Sequence, residues 1–138
     1  MRAELKMDVA WVEVCALDDI LPNTGVACLV AGRQIAVFRV RSIGAPEDEV
    51  FATENYDPFS EANVIARGIV GCRAGQPKVA SPMYKQSFCL RTGACFDDPS
   101  VSIEVFPVRV AMGRVLVRSS ATHKLRARNA DLLSERGA

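Results

Sequence analysis

The side chains best suited by type to do chemistry are one histidine, five cysteines and three acidic clusters. Nucleophilic catalysis needs a base beside its Ser or Cys, and the single His123 lies in a stretch that reads as a terminal tail, so a triad hydrolase is not expected. Cys15, Cys28, Cys72, Cys89 and Cys95 are an odd number, contain no Cys-x-x-Cys pair and sit mostly in strand-like apolar runs. That pattern fits reduced, partly buried thiols rather than a zinc site or a disulfide framework. Asp18-Asp19, Glu47-Asp48-Glu49 and Asp97-Asp98 all fall in turn-like sequence, where solvated carboxylates are the ordinary outcome. No Gly-x-x-x-x-Gly-Lys or Gly-x-Gly-x-x-Gly segment is present to cradle a phosphate.

Two short stretches are left. Asn55-Tyr-Asp-Pro-Phe59 and Ser81-Pro-Met-Tyr84 each close a β-rich run, with the spacing of a Cys-x-His and a Cys-x-x-His ligand pair. The positions that would ligate read Asp57, Phe59, Ser81 and Tyr84. A [2Fe–2S] centre of mixed ligation takes two histidines on one iron and two cysteines on the other. These residues do not supply that set, and the pair reads as a vacated metal site.

The elements that must carry these loops are strands. Trp11 to Leu17 begins with apolar and polar alternation and runs into the turn-rich Asp18 to Gly25; Gly25 to Ala31 and Gln34 to Arg41 flank Gly32-Arg33, which suits a two-residue turn. Val50 to Glu54 leads into the first loop. Val64 to Cys72, bent at Gly68, then a turn at Arg73 to Pro77 and a return through Lys78 to Ala80, deliver the second. Gln86 to Leu90 pairs with Ala94 to Phe96 across Arg91-Thr-Gly93, and Val101 to Val110 pairs with Arg114 to Arg118 across Ala111-Met-Gly113. Short strands with turn signals and no sustained helical periodicity before residue 119 predict an all-β antiparallel sandwich or small barrel.

A chain of 138 residues suits one domain. The expected organisation is an extension over 1–10, a β domain over 11–118 and a slightly basic tail over 119–138. In the tail, Leu125, Leu132 and Leu133 permit a short C-terminal helix, and a frayed terminus is the other reading. No apolar run is long enough to cross a bilayer, and Met1 to Ala10 carry Arg2, Glu4, Lys6 and Asp8 where a secretion signal needs an apolar block. A cytoplasmic protein without a membrane partner is expected. A net charge of +1, with Trp11, Tyr56 and Tyr84 widely spread, argues against nucleic acid and against an oligonucleotide-binding barrel.

Ala52 to Phe59 followed by Ala80 to Gly93 resembles the paired loops of Rieske-type domains, with Pro58, Pro82, Phe88, Leu90 and Gly93 matching and the ligands replaced. Asp57 and Ser81 stand at cysteine positions, Phe59 and Tyr84 at histidine positions. Asp18-Asp-Ile-Leu-Pro-Asn-Thr-Gly-Val26, Gln34 to Arg39, Arg67-Gly68 and Val79 to Pro82 extend the likeness over most of 11–118. Together they resemble the small subunits of assimilatory NAD(P)H-dependent nitrite reductases, Rieske-like domains without a cluster. The resemblance implies an accessory subunit with no cofactor or catalytic residues of its own. Its large catalytic partner would carry FAD, a [4Fe–4S] cluster and sirohaem and reduce nitrite to ammonia. The alternative, a Rieske-type ferredoxin feeding an oxygenase, is disfavoured by the missing Cys and His ligands.

For the loops the structural reading is that Asp57 satisfies local N–H groups, Pro58 stiffens the turn and Phe59 plugs the core. The functional reading makes Asp57, Pro58, Phe59, Pro82, Met83, Tyr84 and Lys85 a partner interface, with Phe59, Met83 and Tyr84 as a half-exposed knob. Loss of a metal also removes what fixes the loop tips, and Phe59 packed on Tyr84 is the expected substitute.

Overall fold

The computed structural model describes residues 11–118. The extension 1–10 and the tail 119–138, including the open helix reading, lie outside the described residues. Twelve strands follow in order: β1 Trp11–Ala16, β2 Thr24–Val30, β3 Arg33–Val40, β4 Glu49–Glu54, β5 Tyr56–Asp57, β6 Ala62–Asn63, β7 Ile69–Arg73, β8 Gln76–Ala80, β9 Ser87–Cys89, β10 Val105–Phe106, β11 Val108–Ala111 and β12 Arg114–Arg118. Single 3-10 turns at Leu17–Asp19 and Ile65–Arg67 are the only helical elements among the described residues. The all-β expectation holds.

The strands form a sheet of order β1-β12-β11, a sheet β10-β4-β3-β2, the small ribbon β5-β6 and a sheet β7-β8-β9. The β10-β4-β3-β2 sheet is the middle layer. Ile35 and Val37 of β3 face one core with Ile20, Val30, Ala52, Phe106, Val115 and Val117. Ala36, Phe38 and Val40 face the other with Ile65, Val79, Phe88, Leu90 and Ile103. Burial on both faces explains why Ile35 to Phe38 is an uninterrupted apolar run instead of an alternating one.

Three expectations need correction. The β2–β3 turn is Ala31-Gly32, not Gly32-Arg33, because Arg33 already pairs with Val30. Ala31 and Gly32 have φ of 51° and 79°, and two positive values are what a type I′ turn requires. Val101 to Val110 is not one strand partnered by β12: Val105 and Phe106 pair with β4, and only Val108–Ala111 pairs with β12 across Met112-Gly113. Pro107, which cannot donate to a ladder, separates the two. Val64 to Cys72 is not continuous either, since the Ile65–Arg67 turn occupies its first half and the strand begins at Ile69. Gly68 lies at the junction, where a Cβ would collide with the Ala80 carbonyl and the Val79 side chain.

The acidic turns also have structural duties beyond solvation. Asp48 accepts from Arg39 Nε at 2.7 Å and from Arg41 Nε at 2.9 Å, and Arg39 donates onward to the Ile20 carbonyl at 2.9 Å. Asp97 accepts from the Ser87 N–H at 2.7 Å and from Arg73 at 3.2 Å. All five cysteines are free, with Cys89 and Cys95 buried and Cys72 exposed.

Candidate functional site

Both loops spring from short ladders. β5 and β6 pair Tyr56 with Asn63 and Asp57 with Ala62, so residues 58–61 form the first loop; β8 and β9 pair Ala80 with Ser87, so residues 81–86 form the second. Asn55 seats the first. Its side chain accepts from the Ala66 N–H at 2.7 Å and donates to the Asn63 carbonyl at 3.2 Å, binding the ribbon to the 3-10 turn. Nothing in its spacing distinguished Asn55 from an ordinary turn residue.

The two positions that resembled cysteines meet. Ser81 Oγ donates to Asp57 Oδ2 at 2.5 Å, and the two residues are 1% and 0% exposed. The same carboxylate accepts from the Phe59 N–H at 2.9 Å and from Ser60 Oγ at 2.9 Å. A buried carboxylate survives without a cation when several donors surround it, and here there are three. Ser60, missed in the sequence, was signalled by its place three residues after an Asp in a turn.

The two positions that resembled histidines do not meet as expected. Phe59 is half-buried and packs into the core against Phe88, ring centroids 6.1 Å apart and tilted by 44°. Tyr84 is 61% exposed and Met83 53%. The loops are joined by the Asp57–Ser81 hydrogen bond, and Phe59 packs on Phe88 instead of the expected Tyr84. The ring of Phe59 is directed into the core, which corrects the half-exposed knob to an inner plug and a separate outer tip. Pro82, Met83, Tyr84 and Lys85 form that tip, and Lys85 has a φ of 67°.

The donor set does not suit a [2Fe–2S] cluster. Phe59 has no ligating atom, and the Asp57 carboxylate and Ser81 hydroxyl are committed to each other. Among the described residues no group of three or more His, Cys, Asp or Glu is arranged to hold a metal ion.

Stacked antiparallel sheets with two loops clasped at one end define a Rieske-like domain, and the family model for the Rieske-like [2Fe-2S] domain matches residues 10–118. Within that class the chain belongs to the family of nitrite reductase small subunits. It is 44% identical over 108 residues to the nitrite reductase (NADH) small subunit of Salmonella typhimurium, covering 78% of this chain and 96% of the relative. A crystal structure described as an NADH-dependent nitrite reductase small subunit from Mycobacterium tuberculosis superimposes with a TM-score of 0.75 at 44% identity, over 83% of this chain and 98% of that one. The chain is also 40% identical over 107 residues to part of the nitrite reductase [NAD(P)H] large subunit of Klebsiella oxytoca, spanning 78% of this chain and 11% of that protein. A more distant neighbour is the ferredoxin of carbazole 1,9a-dioxygenase from Nocardioides aromaticivorans, with a TM-score of 0.63 at 27% identity, over 78% of this chain and 96% of that one.

Proposed function

We propose that this chain is the cluster-free small subunit of an assimilatory NAD(P)H-dependent nitrite reductase, which docks to or stabilises the large catalytic subunit that reduces nitrite to ammonia. The observation that carries the reading is the Klebsiella protein, a large subunit that contains a 107-residue match to this chain. Two units joined in one polypeptide meet at high effective concentration, and their association as separate chains is the natural counterpart. In this reading residues 11–118 are the working domain and 1–10 and 119–138 its appendages. FAD, the [4Fe–4S] cluster and sirohaem belong to the large partner, and this chain contributes no catalytic residue. Five free thiols suit a reducing cytoplasm.

In this reading the docking surface is the Pro82-Met83-Tyr84-Lys85 tip, with Pro58 in the neighbouring loop, Asp57 bonded to Ser81 beneath the tip and Phe59 packed into the core. Exposed Met and Tyr are residue types enriched in protein interfaces. Nitrite turnover and complex formation, measured for the large subunit with and without this chain, test the reading. The expected result is a stable complex with higher turnover or a longer half-life, and a preparation of this chain free of iron and of visible absorbance. A large subunit that ignores this chain and already shows full turnover and half-life overturns the proposal, and iron bound by the isolated chain would favour the ferredoxin alternative.

A further inference from the structure

The tip proposed to dock hangs from one residue that a partner cannot touch. Ser81 is 1% exposed, yet its N–H donates to the Gln86 carbonyl at 2.9 Å, its carbonyl accepts the Lys85 N–H at 3.1 Å and its Oγ accepts the Met83 N–H at 3.2 Å. A hydroxyl has one proton to give. Asp57 Oδ2 accepts the hydrogen bond from that O–H, which turns the lone pairs of Ser81 Oγ toward the Met83 N–H. Asp57 is itself pinned in the other loop by the Phe59 N–H and Ser60 Oγ. One continuous chain of hydrogen bonds thus runs from the first loop, through two buried groups, to the backbone of Met83.

We infer that Asp57 and Ser81 are positioning residues for partner binding: their hydrogen bond presets the Pro82–Lys85 tip in the shape that the nitrite reductase large subunit recognises. The inference rests on the docking reading above and adds how the tip is made ready. Lys85 adopts a left-handed φ of 67°, a conformation that a non-glycine residue holds only when its surroundings impose it. Met83 and Tyr84 are apolar and exposed, so a free tip would have to be ordered on contact and the affinity would fall by that cost. Ordering it during folding removes the cost from the binding step. At the positions that resembled cluster cysteines, the cross-link between loops persists as a hydrogen bond.

The test measures the dissociation constant of the full chain for its large subunit, with amide hydrogen exchange of the tip as a second readout. Tyr84→Ala probes the docking reading, Ser81→Ala the inference, Ser81→Thr its rescue, and Val115→Ala lowers stability from the core on the other face of the middle sheet without touching either loop. Ser81→Ala is expected to weaken binding about tenfold, with faster exchange at Met83 and unchanged exchange at the β8 amides. Ser81→Thr and Val115→Ala should each bind within about twofold of the native chain. If Ser81→Ala does not fold, Ser81→Cys, nearly isosteric with a weaker donor, replaces it with the same expected direction. Native affinity in the Ser81 variant despite a loosened tip overturns the inference while leaving the docking reading in place. Equal weakening by Val115→Ala overturns it too, by showing a general stability effect. If the native chain does not bind, or Tyr84→Ala binds as the native chain does, the tip is not the docking surface and both fall.

Discussion

Phe59 and Tyr84 occupy equivalent places in the two loop motifs and have opposite environments. Phe59 contributes a ring to the core beside Phe88, whereas Tyr84 stands 61% exposed on the outer tip. Truncation should separate them cleanly. Phe59→Ala removes packing from a well-filled interior and is expected to cost about 2 to 3 kcal/mol. Tyr84→Ala should change stability by no more than about 0.5 kcal/mol. Urea unfolding of the two variants gives the comparison; equal losses would place both rings in the core and contradict the split between plug and tip. The chemistry missing at 57, 59, 81 and 84 was legible from residue types alone. The pairing of Asp57 with Ser81 was not, because 24 positions of sequence separate them and only the packing of the β5-β6 ribbon against the β8 end brings them within 2.5 Å.

At the scale of elements, three hairpins turn on the same device. Ala31-Gly32, Ala74-Gly75 and Met112-Gly113 join β2 to β3, β7 to β8 and β11 to β12, and the first residue of each pair has a φ of 51°, 53° and 53°. Alanine and methionine hold a positive φ at a cost that asparagine largely avoids. Ala31→Asn and Ala74→Asn are therefore expected to stabilise the chain by about 0.5 kcal/mol each, additively because the turns belong to different sheets. Thermal unfolding of the single and double variants measures this, and a decrease in melting temperature would mean the native alanines make contacts that the backbone geometry does not reveal. The hairpins themselves were readable from their glycines. The β2–β3 register lies one residue away from a Gly32-Arg33 turn because Gly32-Arg33 and Ala31-Gly32 both suit a two-residue turn locally, and only the Val30–Arg33 pairing chooses between them.

Across the whole molecule, the 3-10 turn after β1 is tied to the end of β3 and to the loop before β4 through Arg39, Arg41 and Asp48. Hydrogen bonds from Arg41 and then Arg39 hold the Asp48 carboxyl at about 2, below the ordinary carboxylate value. A carboxyl whose value is lower in the folded chain than in the unfolded one binds its proton more weakly when folded. Its contribution to stability is thus complete above the unfolded value, near 4, and fades as pH falls toward 2. Asp97 shifts in the same direction, chiefly through the Ser87 N–H and then Arg73. Asp48→Asn should accordingly be less stable than the native chain at pH 6 and approach it as the pH is lowered toward 2. Urea midpoints of both proteins across that range check the sign, and a gap that widens on acidification would contradict it.

By itself the sequence determined the fold class and the residue types that stand at positions 57, 59, 81 and 84. These follow from local patterning: apolar runs broken by turn residues, and residue types that carry no suitable donor atom. Tertiary structure decided how the residues of the two loops meet. Whether Asp57 faces Ser81, and whether an aromatic ring turns inward to Phe88 or outward to solvent, depends on how the β5-β6 ribbon meets the β7-β8-β9 sheet around a shared core. That meeting is set by contacts between residues far apart in the chain, which no local pattern records.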